Sequence, residues 1–221
     1  QSNITKSCGI PAFEVFQFLL LLVFQGKNLF RFLNSKHKDQ AVSKNTYYRF
    51  LNETSYNWKK FLSFLAVKVT TAFKRLTRPE RVTAFVLDDS VIKRNRSKKV
   101  ELLARIYAHT EHRYQRGFSM LTIGFTDGYS FVPVGFNMLS SANKSNRYQE
   151  MSDNIDRRTN GFKARRDSML SKPKDAIKLI KEALNAGILA DYVLMDTWFT
   201  TEPMIRSIVE LGLDVIGMVK Q

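Results

Sequence analysis

Hydrophobic residues recur at helical spacing along the first part of the chain. From Pro11 to about Lys74 they repeat every three to four residues, and polar breaks divide the stretch into three or four helices. The most apolar run, 12–24, is shorter than the roughly 20 residues that a membrane span needs. We therefore interpret it as a core helix within a small all-α region over residues 1–78.

The next part of the chain changes to the pattern of strands. Residues 81–87 form a β-branched and aromatic run that ends in two adjacent aspartates, Asp88 and Asp89. Two further apolar runs, 118–125 and 131–138, flank an Asp-Gly dipeptide, which predicts a hairpin. These runs predict three strands.

Two segments give no clear periodicity. Residues 93–116 are basic and predicted to be a looped insert, and residues 140–172 are polar and favour a loop or a DNA-facing insert. Order returns with an amphipathic helix at 175–184 and with the apolar strand 192–195, which ends at Asp196.

A helix from Thr200 to about Leu211 and a strand at 215–219 complete the pattern. The resulting order is strand, strand, strand, helix, strand, helix, strand, which is the order of the RNase H fold. The predicted class is therefore α/β, with an RNase H-like mixed sheet core over residues 79–221 that follows the all-α region.

Two acidic positions follow predicted strands that are neighbours in such a sheet. A single Asp after a strand is most often a turn or a helix cap, but strand ends in open α/β sheets are also where ligands gather. Carboxylate oxygens suit Mg²⁺, and a two-metal site for phosphoryl transfer holds its ions about 3.5 to 4 Å apart. Asp88 and Asp89 point to opposite faces of their strand, so only one of them meets Asp196. We favour Asp89 and keep Asp88 as the alternative, with two Mg²⁺ ions, or Mn²⁺ in their place.

Segments 86–90 (VLDDS) and 193–199 (VLMDTWF) resemble the first and second acidic motifs of DDE transposases of the insertion-sequence-four group. The resemblance implies an enzyme that cuts DNA at element ends and joins the freed 3′-hydroxyl to target DNA. It also implies a third acidic residue, a Glu, on a later helix. Glu202 and Glu210 lie too close behind Asp196 for that role, so the resemblance implies a chain cut before its third motif and inactive alone.

The formal charge of +15, from 35 Lys and Arg against 20 Asp and Glu, suits a polyanionic partner. We expect DNA at element ends and target, no membrane, and homodimerisation in the DNA complex. The single cysteine, Cys8, fits a reducing, cytoplasmic setting, of a bacterial, nucleoid-associated type. The candidate DNA contacts are Lys44, Tyr47 and Arg49 in a predicted recognition helix, Lys93, Arg94, Arg96, Lys98 and Lys99 behind the first acidic strand, and Trp198 beside the second acid.

The alternative for the basic positions is a solvated surface, and for Trp198 an anchor against the sheet. The function that the sequence predicts is Mg²⁺-dependent DNA cleavage and strand transfer, as in cut-and-paste transposition. Two alternatives stay open: an RNase H-like nuclease or resolvase that uses only water as nucleophile, and a DNA-binding protein derived from a transposase without catalysis.

Overall fold

The structure is a computed structural model that describes residues 2–78 and 80–219. Its helices and strands are numbered here in chain order. They are α1 (Ala12–Phe24), α2 (Leu29–Leu33), α3 (Lys44–Asn52), α4 (Trp58–Leu76), β1 (Ala84–Lys93), β2 (Ala104–Ala108), β3 (Arg113–Thr126), β4 (Phe131–Leu139), α5 (Asn160–Asp167), α6 (Lys172–Asn185), β5 (Tyr192–Met195), α7 (Glu202–Val209) and β6 (Asp214–Gly217).

The six strands form one mixed sheet with β1 near its centre. β1 is antiparallel to β3 on one side and parallel to β5 on the other, and β5 is parallel to β6. β2 and β4 both pair with the far edge of β3, β2 along its first residues and β4 along the rest. An antiparallel meander followed by parallel strands with crossover helices is the predicted RNase H-like α/β core, and the prediction is confirmed.

The first strand is longer than predicted. β1 continues to Lys93 because β3 pairs with it along its whole length, from Ala84 opposite Thr126 to Lys93 opposite Gly117. Asp88 and Asp89 therefore lie inside a strand, and the prediction that the strand ends at them is wrong.

Both segments without periodicity contain regular structure. The predicted loop 93–116 holds β2 and the start of β3, and the polar segment 140–172 holds α5. Each of these elements is short, and the long-range pairing that stabilises β2 leaves no local periodic signal.

One face of the sheet, which we call the covered face, packs under helices. Its residues include Phe85, Leu87 and Ile123, which are buried together with Leu179 of α6 and Ala66 of α4. The opposite face, which we call the open face, carries the alternate residues. Val86, Thr122 and Leu194 there are half-buried, and Asp88 is exposed.

The first helices build a second hydrophobic cluster. Val15 of α1 packs with Tyr47 and Phe50 of α3. The other side of α1 exposes Phe13 and Phe24, so the prediction of a core helix is correct for one side only. Among residues 2–78 and 80–219, no helix is both long enough and apolar enough to cross a membrane.

Candidate metal and DNA site

The register of the two central parallel strands shows which acids lie at the same level of the sheet. Leu87 of β1 pairs with Met195 of β5, and Asp88 and Asp196 are the next residue of each chain segment. Paired residues of parallel strands point to the same face, and neighbouring strands lie about 4.8 Å apart. Leu87 and Met195 are both buried on the covered face. Alternation within β1 therefore turns Asp88 toward the open face, whereas Asp196 lies in the turn that follows β5, and both residues are exposed.

Asp89 points to the covered face, as do Phe85 and Leu87. Its Oδ2 accepts a hydrogen bond from Lys172 Nζ at 2.6 Å and another from Ser119 Oγ at 3.0 Å. The Lys172 ammonium thus neutralises this carboxylate. The alternation of β1 turns Asp88 and Asp89 to opposite faces of the strand, and the choice between them as the partner of Asp196 stays a prediction. Asp88 is the residue that directly follows the pair of Leu87 with Met195, at the level of Asp196.

A tight turn fixes the carboxylate of Asp196. Its Oδ1 accepts hydrogen bonds from the backbone N–H groups of Trp198 at 3.1 Å and Phe199 at 3.2 Å. Phe199 is buried in the core and holds this turn against the sheet. Oδ2 of Asp196 accepts no hydrogen bond from the residues that the structure describes, so one oxygen faces outward with a fixed orientation.

Trp198 lies beside this turn, is partly exposed and contacts the ring of Phe199. Its side chain is 42% exposed, whereas the neighbouring Phe199 is buried. The Lys172 ammonium lies 4.9 Å from the Trp198 ring centroid while it also binds Asp89. Asp89, Lys172 and Trp198 therefore form one linked cluster next to Asp196. Lys172 carried no signal in the sequence, since it lies 83 positions from Asp89.

The carboxylate oxygens at this place match part of the ligand set that a hard divalent ion requires. Asp88 and Asp196 offer carboxylate oxygens, the ligands that Mg²⁺ prefers. Within 2–78 and 80–219, no three His, Cys, Asp or Glu side chains come together as a metal-holding group. Among these residues, at most two of the three carboxylates that the resemblance implies therefore lie close enough together to share an ion.

The basic residues after the acidic strand differ in their surroundings. Lys93 forms an ion pair with Glu111, which also binds Arg113, and these two cations lower the pKa of Glu111. Arg94, Arg96, Lys98 and Lys99 are exposed, and none of them forms an ion pair with a described residue. Four predicted DNA contacts thus keep an uncompensated charge, while the charge of Lys93 is balanced within the protein.

The predicted recognition helix is α3, and one of its three candidates is not accessible. Tyr47 is only 2% exposed, stacks on Phe18 with ring centroids 4.9 Å apart, and accepts a hydrogen bond from the Val42 N–H. The prediction that Tyr47 contacts DNA is therefore wrong. Lys44 and Arg49 are exposed as predicted, and the accessible aromatic residue of this helix is Tyr48.

The fold and the acid pair on its central strands define an RNase H-like α/β protein. The family model described as DDE superfamily endonuclease matches residues 18–221, and the chain belongs to this family. Endonucleases of this superfamily generally depend on divalent metal ions. No curated protein matches the sequence.

Two solved structures are similar to the chain. One is the Drosophila P element transposase in a strand transfer complex, with 10% identity and a TM-score of 0.44 over 97% of this chain and 42% of that one. The other is the piggyBac transposase in a synaptic complex with hairpin DNA, with 13% identity and a TM-score of 0.44 over 100% of this chain and 45% of that one. The chain thus spans less than half the length of either transposase.

Proposed function

We propose that this chain is the catalytic-core part of a DNA transposase that cuts DNA and transfers a 3′-hydroxyl end to target DNA. Membership of the DDE endonuclease family supports the nuclease chemistry, and the charge of +15 supports DNA as the partner. The observation that carries the proposal is the pairing of Leu87 with Met195, since Asp88 and Asp196 are the next residues along these two neighbouring strands.

In this proposal Asp88 and Asp196 hold Mg²⁺ or Mn²⁺ as part of a two-ion site. When bound, such ions stabilise the charge on the attacked phosphate and on both the attacking and the leaving oxygen. Asp88 is fixed by its pairing with Thr122 of β3, directly after the last residue of β1 that pairs with β5, and Asp196 by the N–H groups of Trp198 and Phe199. Both ligands thus have the rigid mounting that precise positioning requires.

The surrounding residues would hold the DNA. The exposed ring of Trp198 offers a stacking surface for a base next to the site, and Arg94, Arg96, Lys98 and Lys99 offer charge to the phosphates. We assign Lys93 a weaker role, because Glu111 balances its charge.

We further propose that the helical region 1–78 binds DNA through Lys44 and Arg49, with residues 79–221 forming the catalytic core. In transposition the element ends must be held together, so homodimerisation in the DNA complex belongs to the proposal, as does a nucleoid-associated, cytoplasmic location. Two rival functions remain in view: a nuclease or resolvase that uses only water, and a DNA-binding protein without catalysis.

The test is cleavage of labelled element-end DNA with Mg²⁺ by the whole protein that contains this chain. Asp88→Asn and Asp196→Asn should each reduce cleavage to background and leave DNA binding intact, whereas Asp89→Asn should retain cleavage. Joining of a 3′-hydroxyl end to a second DNA separates a transposase from a nuclease that only hydrolyses. Cleavage that survives Asp196→Asn would remove this residue from the mechanism, and a parent protein that binds but never cuts DNA would favour the non-catalytic rival.

A further inference from the structure

β2 and the first residues of β3 form a two-stranded ribbon that extends beyond β1. Arg105 pairs with Arg116 and Tyr107 with Tyr114. Cross-strand partners share a face, so these four side chains lie together on one face of the ribbon. We call them the Arg-Tyr surface.

The aromatic rings of the Arg-Tyr surface are accessible to solvent. Tyr107 is 40% exposed and Tyr114 58%, and their ring centroids lie 5.2 Å apart in an edge-to-face arrangement. The Arg105 guanidinium lies 3.8 Å from the centroid of Tyr114, and that of Arg116 lies 4.2 Å from the centroid of Tyr148. Flat aromatic and guanidinium groups thus alternate over a continuous exposed area.

The positive charge of this surface is not balanced by a carboxylate. Neither Arg105 nor Arg116 forms an ion pair with any residue in the described part of the chain. A comparable pair lies at the opposite end of β3, where the Arg81 guanidinium is 4.4 Å from the centroid of Tyr129. There Asp127 binds Arg81 at 2.8 Å and neutralises it. Stacking of Arg on Tyr is therefore common to both places, but only the Arg-Tyr surface offers free charge.

The Arg-Tyr surface faces the same way as Asp88, one of the proposed metal ligands. Asp88 pairs with Thr122 of β3, and the even-numbered residues of β3 alternate to that face as far back as Arg116 and Tyr114. The strand from Tyr114 to Thr122 rises about 3.4 Å per residue, so its two ends lie about 27 Å apart. A turn of duplex DNA covers roughly 34 Å, so a strand that is cut at Asp88 can reach the Arg-Tyr surface within one turn.

We propose that the Arg-Tyr surface binds unpaired nucleotides of the DNA strand that extends from the cleavage position. Bases stack on Tyr107, Tyr114 and the Arg105 guanidinium, and Arg105 and Arg116 neutralise phosphates. Stacking on aromatic side chains selects unpaired bases, because the faces of paired bases are covered by their neighbours in the duplex. This inference rests on the proposed function, since it takes the DNA that the enzyme would cut as the ligand.

The test compares a single-stranded oligonucleotide with a duplex of the same sequence by fluorescence anisotropy, in EDTA so that no cleavage takes place. Tyr107→Leu and Tyr114→Leu should each weaken single-strand binding roughly tenfold and leave duplex binding nearly unchanged. Tyr129→Leu is the matched control, with the same substitution at a Tyr that also contacts an arginine, and it should bind like the unmodified protein. Tyr107→Phe should retain affinity, because the stacking ring is kept.

The arginines give an independent readout that does not depend on the aromatic rings. Arg105→Gln and Arg116→Gln should each lower the slope of log affinity against log salt concentration by about one, or by slightly less for a single strand. Unchanged single-strand affinity in the Tyr107→Leu/Tyr114→Leu double variant, or an equal loss for duplex, would overturn the proposal. So would unchanged salt slopes in the arginine variants. Failure of the catalytic proposal appears instead in the cleavage assay, because the binding assay contains no metal.

Discussion

The carboxyl group of Asp175 predicts a pH dependence of the protein's stability, and the magnitude of this dependence follows from the surroundings of the group. Asp175 lies in the first turn of α6 and is 0% exposed. Asn137 of β4 donates a hydrogen bond to its Oδ1, while Oδ2 has no partner among the described residues. Burial raises the pKa of Asp175 from 3.8 to about 6. The Asn137 hydrogen bond and the charges of Lys59 and Lys178 act in the opposite direction, and Glu182 adds to the increase.

A raised pKa in the folded state means that protonation stabilises the fold. The contribution of Asp175 is fully present below its unfolded pKa of 3.8 and is lost as the pH rises through about 6. A difference of about two pH units, at about 1.4 kcal/mol each, makes the charged carboxylate cost about 3 kcal/mol at neutral pH. Asp175→Asn, which resembles the protonated acid, should remove most of this pH dependence.

The measurement is urea unfolding of both proteins at about pH 4 and about pH 7.5, on either side of the titration. Asp175→Asn should be close to the unmodified protein at the lower pH and more stable by up to about 3 kcal/mol at the higher one. The control is Asp214→Asn, which changes an exposed carboxyl group and should shift neither value. A difference between variant and unmodified protein that is the same at both pH values would refute the reasoning.

Three further predictions concern the sheet and the cluster beside the site. Gly117→Ala places a Cβ 2.1 Å from the Ile92 carbonyl oxygen, so thermal melting should show a loss of at least about 1 kcal/mol, and an unchanged midpoint would contradict the strand pairing. Phe85→Ala empties a fully buried site and should cost about 3 to 5 kcal/mol in chemical unfolding, whereas a loss below 1 kcal/mol would contradict its burial. Lys172→Met removes the ammonium over the Trp198 ring and should change Trp198 fluorescence in a Trp58→Phe background, while an identical spectrum would disprove the contact.

The sequence predicted those parts of the fold that depend on local signals. The hairpin at Asp127 and Gly128 was predicted from the dipeptide, and in the structure Gly128 has a φ of +85° while Asp127 accepts the backbone N–H groups of Tyr129 and Ser130. The strand 192–195 was predicted with its observed bounds from its fully apolar run, although only Val193 and Met195 are buried, whereas Tyr192 and Leu194 are half-buried.

Features that depend on pairing between strands far apart in the chain could not be predicted from the sequence. β2 owes its structure to β3, and the choice between Asp88 and Asp89 depends on a register that only the pairing of β1 with β5 defines. A single step of alternation reverses the face of a side chain, so neighbouring acids cannot be distinguished by their spacing alone. The choice of Tyr47 rather than Tyr48 was an error of helical phase, since Tyr47 is buried and Tyr48 is exposed.

The central claim of the proposed function is that Asp88 and Asp196 hold a divalent ion together. Its most direct test is binding of Mn²⁺ to the protein, followed by electron paramagnetic resonance, with Mg²⁺ as competitor. Asp88→Asn and Asp196→Asn should each weaken Mn²⁺ binding strongly, and Asp89→Asn, whose carboxylate is occupied by Lys172, should leave it unchanged. Loss of binding in Asp89→Asn together with unchanged binding in Asp88→Asn would contradict the account.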